Sequence, residues 1–235
     1  MNENISDGRI NLAGGEPLLS NNIDKIIDYI YSKGIKVSLI TNGFYLNKEF
    51  IDRHKNQLYC IGISVDSLNA ETNRLIGRCQ INEECLETNH LTDICQYIKD
   101  SDIKLKINTC VSKLNYKEDL TGFLEVVKPD RYKVLQMLCN DGDIINVKNR
   151  ITAIEMDEFK NCHKKYISVI ETEDELKQSY LIVDSKGNVS CDNLHISNYS
   201  IFENNISDIL NKIELDKIVY NKRYNAEYQY RSINK

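Results

Sequence analysis

Apolar positions follow two alternating spacings along most of this chain. In short stretches they recur at every second residue or form continuous runs, which is typical of strands. Between these stretches they recur every three to four residues, which is typical of amphipathic helices. The predicted strands are 9–13, 36–40, 59–65, 104–110 and 131–138. The predicted helices are 22–32, 47–55, 83–99, 117–127 and 157–166.

Short strands that alternate with helices predict right-handed β–α–β units and a parallel sheet. We therefore predict an α/β fold, a partial and open (β/α) barrel whose core is residues 1–150. Residues 151–235 depart from this rhythm, with a hairpin from 180–183 and 188–191 and a helix near 206–213. We expect this C-terminal extension to pack on the barrel and cover its mouth, within a single domain.

Composition and charge exclude several classes of protein. A chain of 235 residues that is 41% hydrophobic can bury a sizeable core. The net charge of −5 argues against binding to a nucleic-acid polymer or a membrane surface. No apolar run approaches the roughly 20 residues of a membrane span, and the N-terminus lacks the pattern of a signal peptide. We expect a cytoplasmic protein.

Eight cysteines are scattered along the chain, and their spacing matches neither a zinc ribbon nor a ferredoxin motif. We interpret them as reduced thiols, mostly buried, and predict no metal ligands. They are Cys60, Cys79, Cys85, Cys95, Cys110, Cys139, Cys162 and Cys191.

Ligands of parallel sheets bind at the carboxyl ends of the strands. After the first strand, Gly14 and Gly15 allow the backbone to approach a ligand, and the Glu16 carboxylate can pair with an ammonium group. The same residues followed by a proline are also consistent with a simple turn. After the second strand, Thr41 and Asn42 precede a glycine, which is a turn signal.

The third strand ends with Ser64 and Asp66, which alternate with apolar residues and therefore face one side. An Ile-Gly-Arg sequence that ends at Arg78 follows. The alternative is that Asp66 or Ser67 caps a helix.

Two further strands each carry cations on one face. A central parallel strand is usually apolar on both faces, so buried cations need anionic partners. We predict a basic pocket for a polyphosphate; the alternative is an exposed edge strand with solvated lysines. The shared faces comprise Lys104, Lys106 and Asn108 in one strand, and Arg131, Lys133 and Leu135 in the other.

In their order, these motifs resemble the viperin-like radical SAM enzymes, which are antiviral nucleotide dehydratases. The resemblance runs from Arg9 to about Cys191. The motifs at 14–17 and 63–67 are typical of radical SAM proteins in general. The motifs at 76–78, 106–108, 131–136 and 179–184 are typical of the viperin branch.

The resemblance implies a radical reaction on a ribonucleoside triphosphate (CTP, UTP or GTP). A reduced [4Fe–4S] cluster cleaves S-adenosylmethionine to a 5′-deoxyadenosyl radical, which removes hydrogen from the ribose 4′ carbon. Loss of the 3′ hydroxyl then gives a 3′-deoxy-3′,4′-didehydronucleotide. The protein fixes both ligands and excludes water.

The resemblance also implies a role for each motif. Tyr180 would be catalytic and lie beside the reacting sugar, where it supplies a proton or a hydrogen atom. The cofactor site would comprise Gly14, Gly15 and Glu16 at the methionine amino group, Ser64 and Arg78 at the carboxylate and ribose, and Thr41, Asn42 and Asp66. The triphosphate and sugar would be bound by Lys106, Asn108, Arg131 and Lys133, with Arg9 where the family has a lysine.

The family's cluster ligands lie in a CxxxCxxC loop before the Gly-Gly-Glu-Pro motif, and this chain contains no such loop. We therefore expect the chain as given to bind no cluster and to be inactive alone. Three explanations stay open: a truncated chain or gene model, a split protein completed by a second chain, and a relative without a cluster. The alternative function is a catalytically dead regulatory module that binds nucleotide or S-adenosylmethionine.

Overall fold

The computed structural model describes residues 8–80, 82, 84–138, 147–176, 180–191, 199–213, 216 and 218. Six parallel strands form one sheet in sequential order, curled into an open half-barrel, and a short antiparallel hairpin follows. The predicted open parallel α/β barrel is confirmed. The strands are β1 (Arg9–Leu12), β2 (Lys36–Thr41), β3 (Leu58–Ser64), β4 (Lys104–Val111), β5 (Arg131–Gln136), β6 (Val169–Glu171), β7 (Ile182–Val183) and β8 (Val189–Ser190).

The α-helices of the described residues connect these strands and cover one face of the sheet. Apolar residues of that face, such as Leu39, Ile107 and Val134, pack with Ile27 and Phe159 of the helices in one core. Within the part of the chain that the structure describes, no helix has the length and apolarity that a membrane crossing requires. The helices are α1 (Ile23–Ser32), α2 (Lys48–His54), α3 (Ala70–Leu75), α4 (Thr88–Asp100), α5 (Thr121–Val127), α6 (Ala153–His163), α7 (Glu173–Leu176) and α8 (Ile206–Lys212).

The opposite, inner face of the sheet carries polar side chains. Strand register pairs Ser64 with Asn108, Asn108 with Lys133, and Lys106 with Arg131. Because side chains alternate along a strand, these residues share one face. The predicted interior faces of β4 and β5 are therefore correct.

The segment after residue 150 contributes to the same sheet. Strand β6 pairs with β5 in parallel, with Leu135 opposite Glu171. Helix α6 precedes it and begins with a capping box, in which Thr152 Oγ1 accepts from the Glu155 N–H and the Glu155 carboxylate accepts from the Thr152 N–H. The division at residue 150, and the covering of the mouth by the extension, stay predictions.

Candidate functional site

The Glu16 side chain holds the loop after β1 against the end of β2. Its Oε1 accepts hydrogen bonds from Thr41 Oγ1 at 2.7 Å and from the backbone N–H two residues along the chain at 3.1 Å, and its Oε2 accepts one from the Asn42 N–H at 2.8 Å. Gly14 has a φ of +146°, which favours glycine, and both Gly14 and Gly15 are exposed. Because a carboxylate offers about four acceptor positions, Glu16 can still accept from a ligand ammonium group.

The Asp66 carboxylate positions Arg78. Its Oδ1 accepts the Cys110 N–H of β4 at 2.7 Å, and its Oδ2 accepts from Arg78 Nε. The Asp66 carbonyl also accepts from Asn115 Nδ2 at 2.8 Å. Both carboxylate oxygens are thus bound to protein donors. The helix-cap interpretation of Asp66 is wrong, since Asn69 caps α3.

Two adjoining cavities share Asn42, Phe44 and Arg78 in their lining. The larger has a volume of ≈ 530 Å³, within the range of small-molecule sites, and Glu16 also lines it. Ser64 lines the smaller one. A carboxylate, a hydroxyl and a guanidinium thus lie around one cleft. This set of groups fits the ammonium and carboxylate of an amino-acid moiety, as in S-adenosylmethionine.

A disulfide closes the segment that follows Arg78. It joins Cys79 to Cys85, whose Cα atoms lie 4.4 Å apart, and Cys79 lines the larger cavity. The prediction of reduced thiols is wrong for this pair. It holds for Cys95, which is buried in α4, where burial raises the pKa of the thiol to about 12. The expectation of mostly buried thiols is wrong for the described residues, because Cys162 is exposed and Cys110 and Cys191 are half-buried.

The cations of β4 and β5 lie on the inner face of interior strands. Lys106 is 8% exposed, and Arg131 and Lys133 are each 3% exposed. The alternative of an edge strand with solvated lysines is therefore wrong. Asn108 lies between Ser64 and Lys133 in the register, so it connects the cofactor cleft to the cations. That these residues bind a nucleotide stays a prediction.

Lys133 and Tyr180 meet a carboxylate that the sequence did not indicate. Lys133 Nζ lies 2.5 Å from Glu171 Oε1 and donates to the Tyr180 hydroxyl at 2.6 Å. The Tyr180 hydroxyl donates to Glu171 Oε2 at 2.8 Å. Strand β6 has only three residues, too few to show a period, so nothing in its sequence marked Glu171 as an inward residue.

Arg9 is the first residue of β1, at the other end of that strand from Gly14 and Glu16. Its guanidinium lies over the Tyr59 ring, 5.8 Å from the centroid, and Lys36 Nζ lies over the same ring at 5.2 Å. The register places Arg9 opposite Lys36. A role for Arg9 in nucleotide binding stays a prediction.

Comparison with known proteins establishes the family. The signature of the Radical SAM superfamily matches residues 2–127. The chain belongs to the radical SAM superfamily.

Curated relatives of this radical SAM chain are S-adenosylmethionine-dependent nucleotide dehydratases, which confirms the viperin-like resemblance. The protein from Lacinutrix mariniflava is 36% identical over 213 residues, which are 88% of this chain and 45% of the relative. The protein from Flammeovirga pacifica is 35% identical over 184 residues, 76% of this chain and 62% of the relative. The protein from Selenomonas ruminantium is 30% identical over 224 residues, 92% of this chain and 81% of the relative. The chain thus spans less than two thirds of the length of the first two.

Solved radical SAM structures share the fold. Streptococcus suis SuiB bound to S-adenosylmethionine superposes with a TM-score of 0.64 at 17% identity, over 90% of this chain and 55% of that one. The enzyme anSMEcpe with bound AdoMet and a peptide gives a TM-score of 0.61 at 13% identity, over 81% of this chain and 62% of that one. S-adenosylmethionine as cofactor is thus supported at the level of the family.

The [4Fe–4S] cluster expected for the family needs several converging thiolates, and the one group of close potential ligand atoms among the described residues contains a single cysteine, Cys162. Cys79 and Cys85 form the disulfide, and Cys95 is buried in the core. Cys60 is opposite Lys104 in the register, and Cys110 follows Lys104 by six residues in β4. At 3.3 Å per residue, Cys60 and Cys110 therefore lie about 20 Å apart along the strand direction. Cys139 lies outside the described residues.

One group of potential metal ligands lies within 4.8 Å: Asp119, Cys162 and His163. Both ring nitrogens of His163, however, are already hydrogen-bonded to the backbone. His163 Nε2 accepts the Leu120 N–H at 3.0 Å, and Nδ1 donates to the Phe159 carbonyl at 2.8 Å. Both ring nitrogens serve the packing of α6 on the start of α5. This group does not fit a metal ion.

His163 makes the stability of the fold sensitive to acid. Burial lowers its pKa below the ordinary value of 6.5, so the unfolded state takes up the proton first. The contribution of neutral His163 is complete above pH 6.5 and is lost as the pH falls through the lowered pKa. We expect the free energy of unfolding, measured with urea between pH 8 and 5, to fall more steeply for the wild type than for His163→Gln. Parallel profiles would contradict this role.

Proposed function

We propose that this chain forms the S-adenosylmethionine-binding and nucleotide-binding part of a viperin-like nucleotide dehydratase in antiviral defence. Its substrate would be CTP, UTP or GTP. One observation carries the proposal: Ser64, in the cofactor cleft, is opposite Asn108, which is itself opposite the buried cation Lys133. A cofactor site and a polyanion site thus adjoin on neighbouring strands.

Different residues of the site would bind the cofactor and the nucleotide. Glu16 would accept the ammonium of S-adenosylmethionine, and Ser64 and Arg78 would contact its carboxylate and ribose. When bound, this cofactor supplies the group that abstracts hydrogen. Lys106 and Arg131 would bind the triphosphate, because cations buried on a water-excluded face hold an anion more strongly than surface cations do.

A second candidate is a regulatory module that binds one or both ligands without catalysis. The observation that favours it is that the one group of close potential ligand atoms among the described residues contains a single cysteine. In the dehydratase, the cluster ligands would come from outside the described residues or from a second chain. We propose the cytoplasm as the location, because both ligands are cytoplasmic metabolites.

Replacing Glu16 tests the cofactor site. Glu16→Gln removes the charge that attracts an ammonium group, so we expect the affinity for S-adenosylmethionine to fall about tenfold, the effect of one charge-assisted hydrogen bond. The affinity for CTP should change less than twofold, as an estimate for a site that keeps all its cations. Calorimetry with both ligands measures this. Glu49→Gln, at an exposed position of α2, is the matched control. An equal loss of affinity for S-adenosylmethionine and CTP in Glu16→Gln would contradict the proposal that Glu16 belongs to the cofactor site alone.

Product analysis, with cluster ligands supplied from a longer chain or a partner, separates the two candidate functions. If the chain is a regulatory module, then after anaerobic reconstitution it should be colourless, bind both ligands and form no didehydronucleotide. The dehydratase predicts a didehydronucleotide and 5′-deoxyadenosine once cluster ligands are supplied from a longer chain or a partner. Failure to bind either ligand would overturn both candidates.

A further inference from the structure

The disulfide between Cys79 and Cys85 closes a short ring of the chain at the cofactor cleft. Arg78, which lines both cavities, directly precedes the ring, and Leu86, which lines the smaller cavity, directly follows it. Within the ring, Cys79 and Gln80 line the larger cavity. The covalent link therefore joins two parts of the wall of this cleft.

Both residues that flank the ring are packed against the strand ends that form the cleft. Arg78 Nε donates to the Asp66 carboxylate after β3. Leu86 lies against the turn after β2, where a Cβ added to Gly43 would be 3.1 Å from Leu86 Cδ2. A change in the ring is therefore transmitted to side chains that line the ligand cavity.

The conformation of the ring depends on the disulfide more than on its hydrogen bonds. The Gln80 N–H donates to the Glu84 carbonyl at 2.9 Å, and Asn82 Nδ2 donates to Glu84 Oε2 at 3.2 Å. Asn82 and Glu84 are exposed, so water competes for these contacts. A disulfide restricts the chain in a way that such hydrogen bonds do not. Breaking it therefore increases the number of conformations open to this part of the wall.

The disulfide is accessible to thiol exchange, because Cys79 and Cys85 are both half-buried rather than enclosed in the core. A thiolate of a dithiol reductant attacks one sulfur, forms a mixed disulfide and releases the other sulfur as a thiolate. The second thiol of the reductant then displaces the remaining protein sulfur. Two electrons pass to the protein, each cysteine takes up a proton, and the dithiol becomes a disulfide.

We propose that Cys79 and Cys85 form a reversible redox site, at which a dithiol reductant lowers the affinity of the adjoining cleft for S-adenosylmethionine. In the oxidised chain, the wall of the cleft is ordered before the ligand binds, whereas the reduced chain loses entropy when it is ordered by the ligand. The inference rests on the proposed function, since it concerns the proposed cofactor cleft. It adds a dependence of cofactor binding on the thiol–disulfide state of the surroundings.

Calorimetry with S-adenosylmethionine on the same chain in two redox states tests this site. We expect the oxidised chain to bind about threefold to tenfold more tightly than the chain reduced with dithiothreitol, the effect of ordering about one side chain in advance. The affinity for CTP should change less than about twofold, because the cations of β4 and β5 lie on other segments. Alkylation followed by mass spectrometry counts the free thiols in each state.

Two variants assign the effect to this pair. The double variant Cys79→Ser/Cys85→Ser cannot form the link, so it should bind S-adenosylmethionine like the reduced wild type and should not respond to dithiothreitol. Cys162→Ser is the matched control at an exposed cysteine of α6, and it should keep the full response. Thermal unfolding verifies that each form is folded. If the double variant is not, the comparison of the two wild-type states still decides the question.

Each outcome has a separate meaning. Equal affinity for S-adenosylmethionine in the two states overturns the inference and leaves the proposed function standing. A disulfide that dithiothreitol does not reduce in the folded chain also overturns it, because the link would then be only structural. So does a double variant that still responds, since other cysteines would be responsible. Absence of S-adenosylmethionine binding in both states overturns the proposed cofactor site and the inference together.

Discussion

Replacing Arg131 with alanine is expected to weaken the binding of ribonucleoside triphosphates by about 1–3 kcal/mol, the range for a lost hydrogen bond to a charged group. Arg131 is 3% exposed, lies opposite Lys106, and faces the inner side of the sheet. A guanidinium in this position offers a rigid fork of donors that matches phosphate oxygens. Calorimetry with CTP, UTP and GTP gives the change, and the loss should be similar for all three because the phosphates are common to them.

Lys104→Ala is the matched control for Arg131→Ala. Lys104 lies on the same face at the start of β4, but its side chain is 46% exposed and pairs with Asp130. A solvated cation contributes little to a specific site, so the binding free energy of the triphosphate should change by less than about 0.5 kcal/mol in Lys104→Ala. Equal losses in Lys104→Ala and Arg131→Ala would show that only the overall charge attracts the nucleotide.

Replacing Asp66 with alanine is expected to lower the free energy of unfolding by about 2–3 kcal/mol, because a half-buried backbone N–H and the partly exposed Arg78 lose their acceptor together. The side chain is 6% exposed and binds both the Cys110 N–H and Arg78. Binding of S-adenosylmethionine should weaken as well, since Arg78 is no longer held at the cleft. Urea unfolding followed by circular dichroism gives the first quantity, and calorimetry gives the second.

Asp130→Ala is a close control for Asp66→Ala. Asp130 makes the same two kinds of contact, with the Leu105 N–H of β4 at 2.8 Å and with Lys104 at 3.1 Å, but its side chain is 25% exposed. Water can replace part of these contacts, so we expect a loss of about 1 kcal/mol and no change in cofactor binding. If both variants are equally unstable, burial is not the reason for the effect.

The strands with a regular pattern were predicted closely, whereas two helices begin later than predicted, at Thr88 rather than 83 and at Thr121 rather than 117. The interior faces of β4 and β5 follow from strict alternation, in which every second side chain must point the same way. In contrast, β6 and α7 have three and four residues, too few to show any period. Helix α6 begins at Ala153 rather than near 157, because Thr152 and Glu155 form a capping box that apolar spacing does not reveal.

The site was predicted in part, because some of its residues belong to recognisable motifs and others do not. Glu16, Ser64 and Arg78 stand in motifs, and the structure places them around one cleft. Glu171 stands in no motif, and its inward position depends on the pairing of β6 with β5. The disulfide of Cys79 likewise depends on how the segment after α3 folds back.

The sequence by itself determined the parallel α/β fold, the inward faces of the central strands and the family, because these follow from local periodicity and from the order of motifs. Only the tertiary structure decided what each polar side chain touches. Asp66 proved to support Arg78, and Lys133 proved to be bound to Glu171 and Tyr180. The reason is physical: a strand's period specifies which face a side chain occupies, whereas its partner is set by neighbouring segments that are distant in the chain.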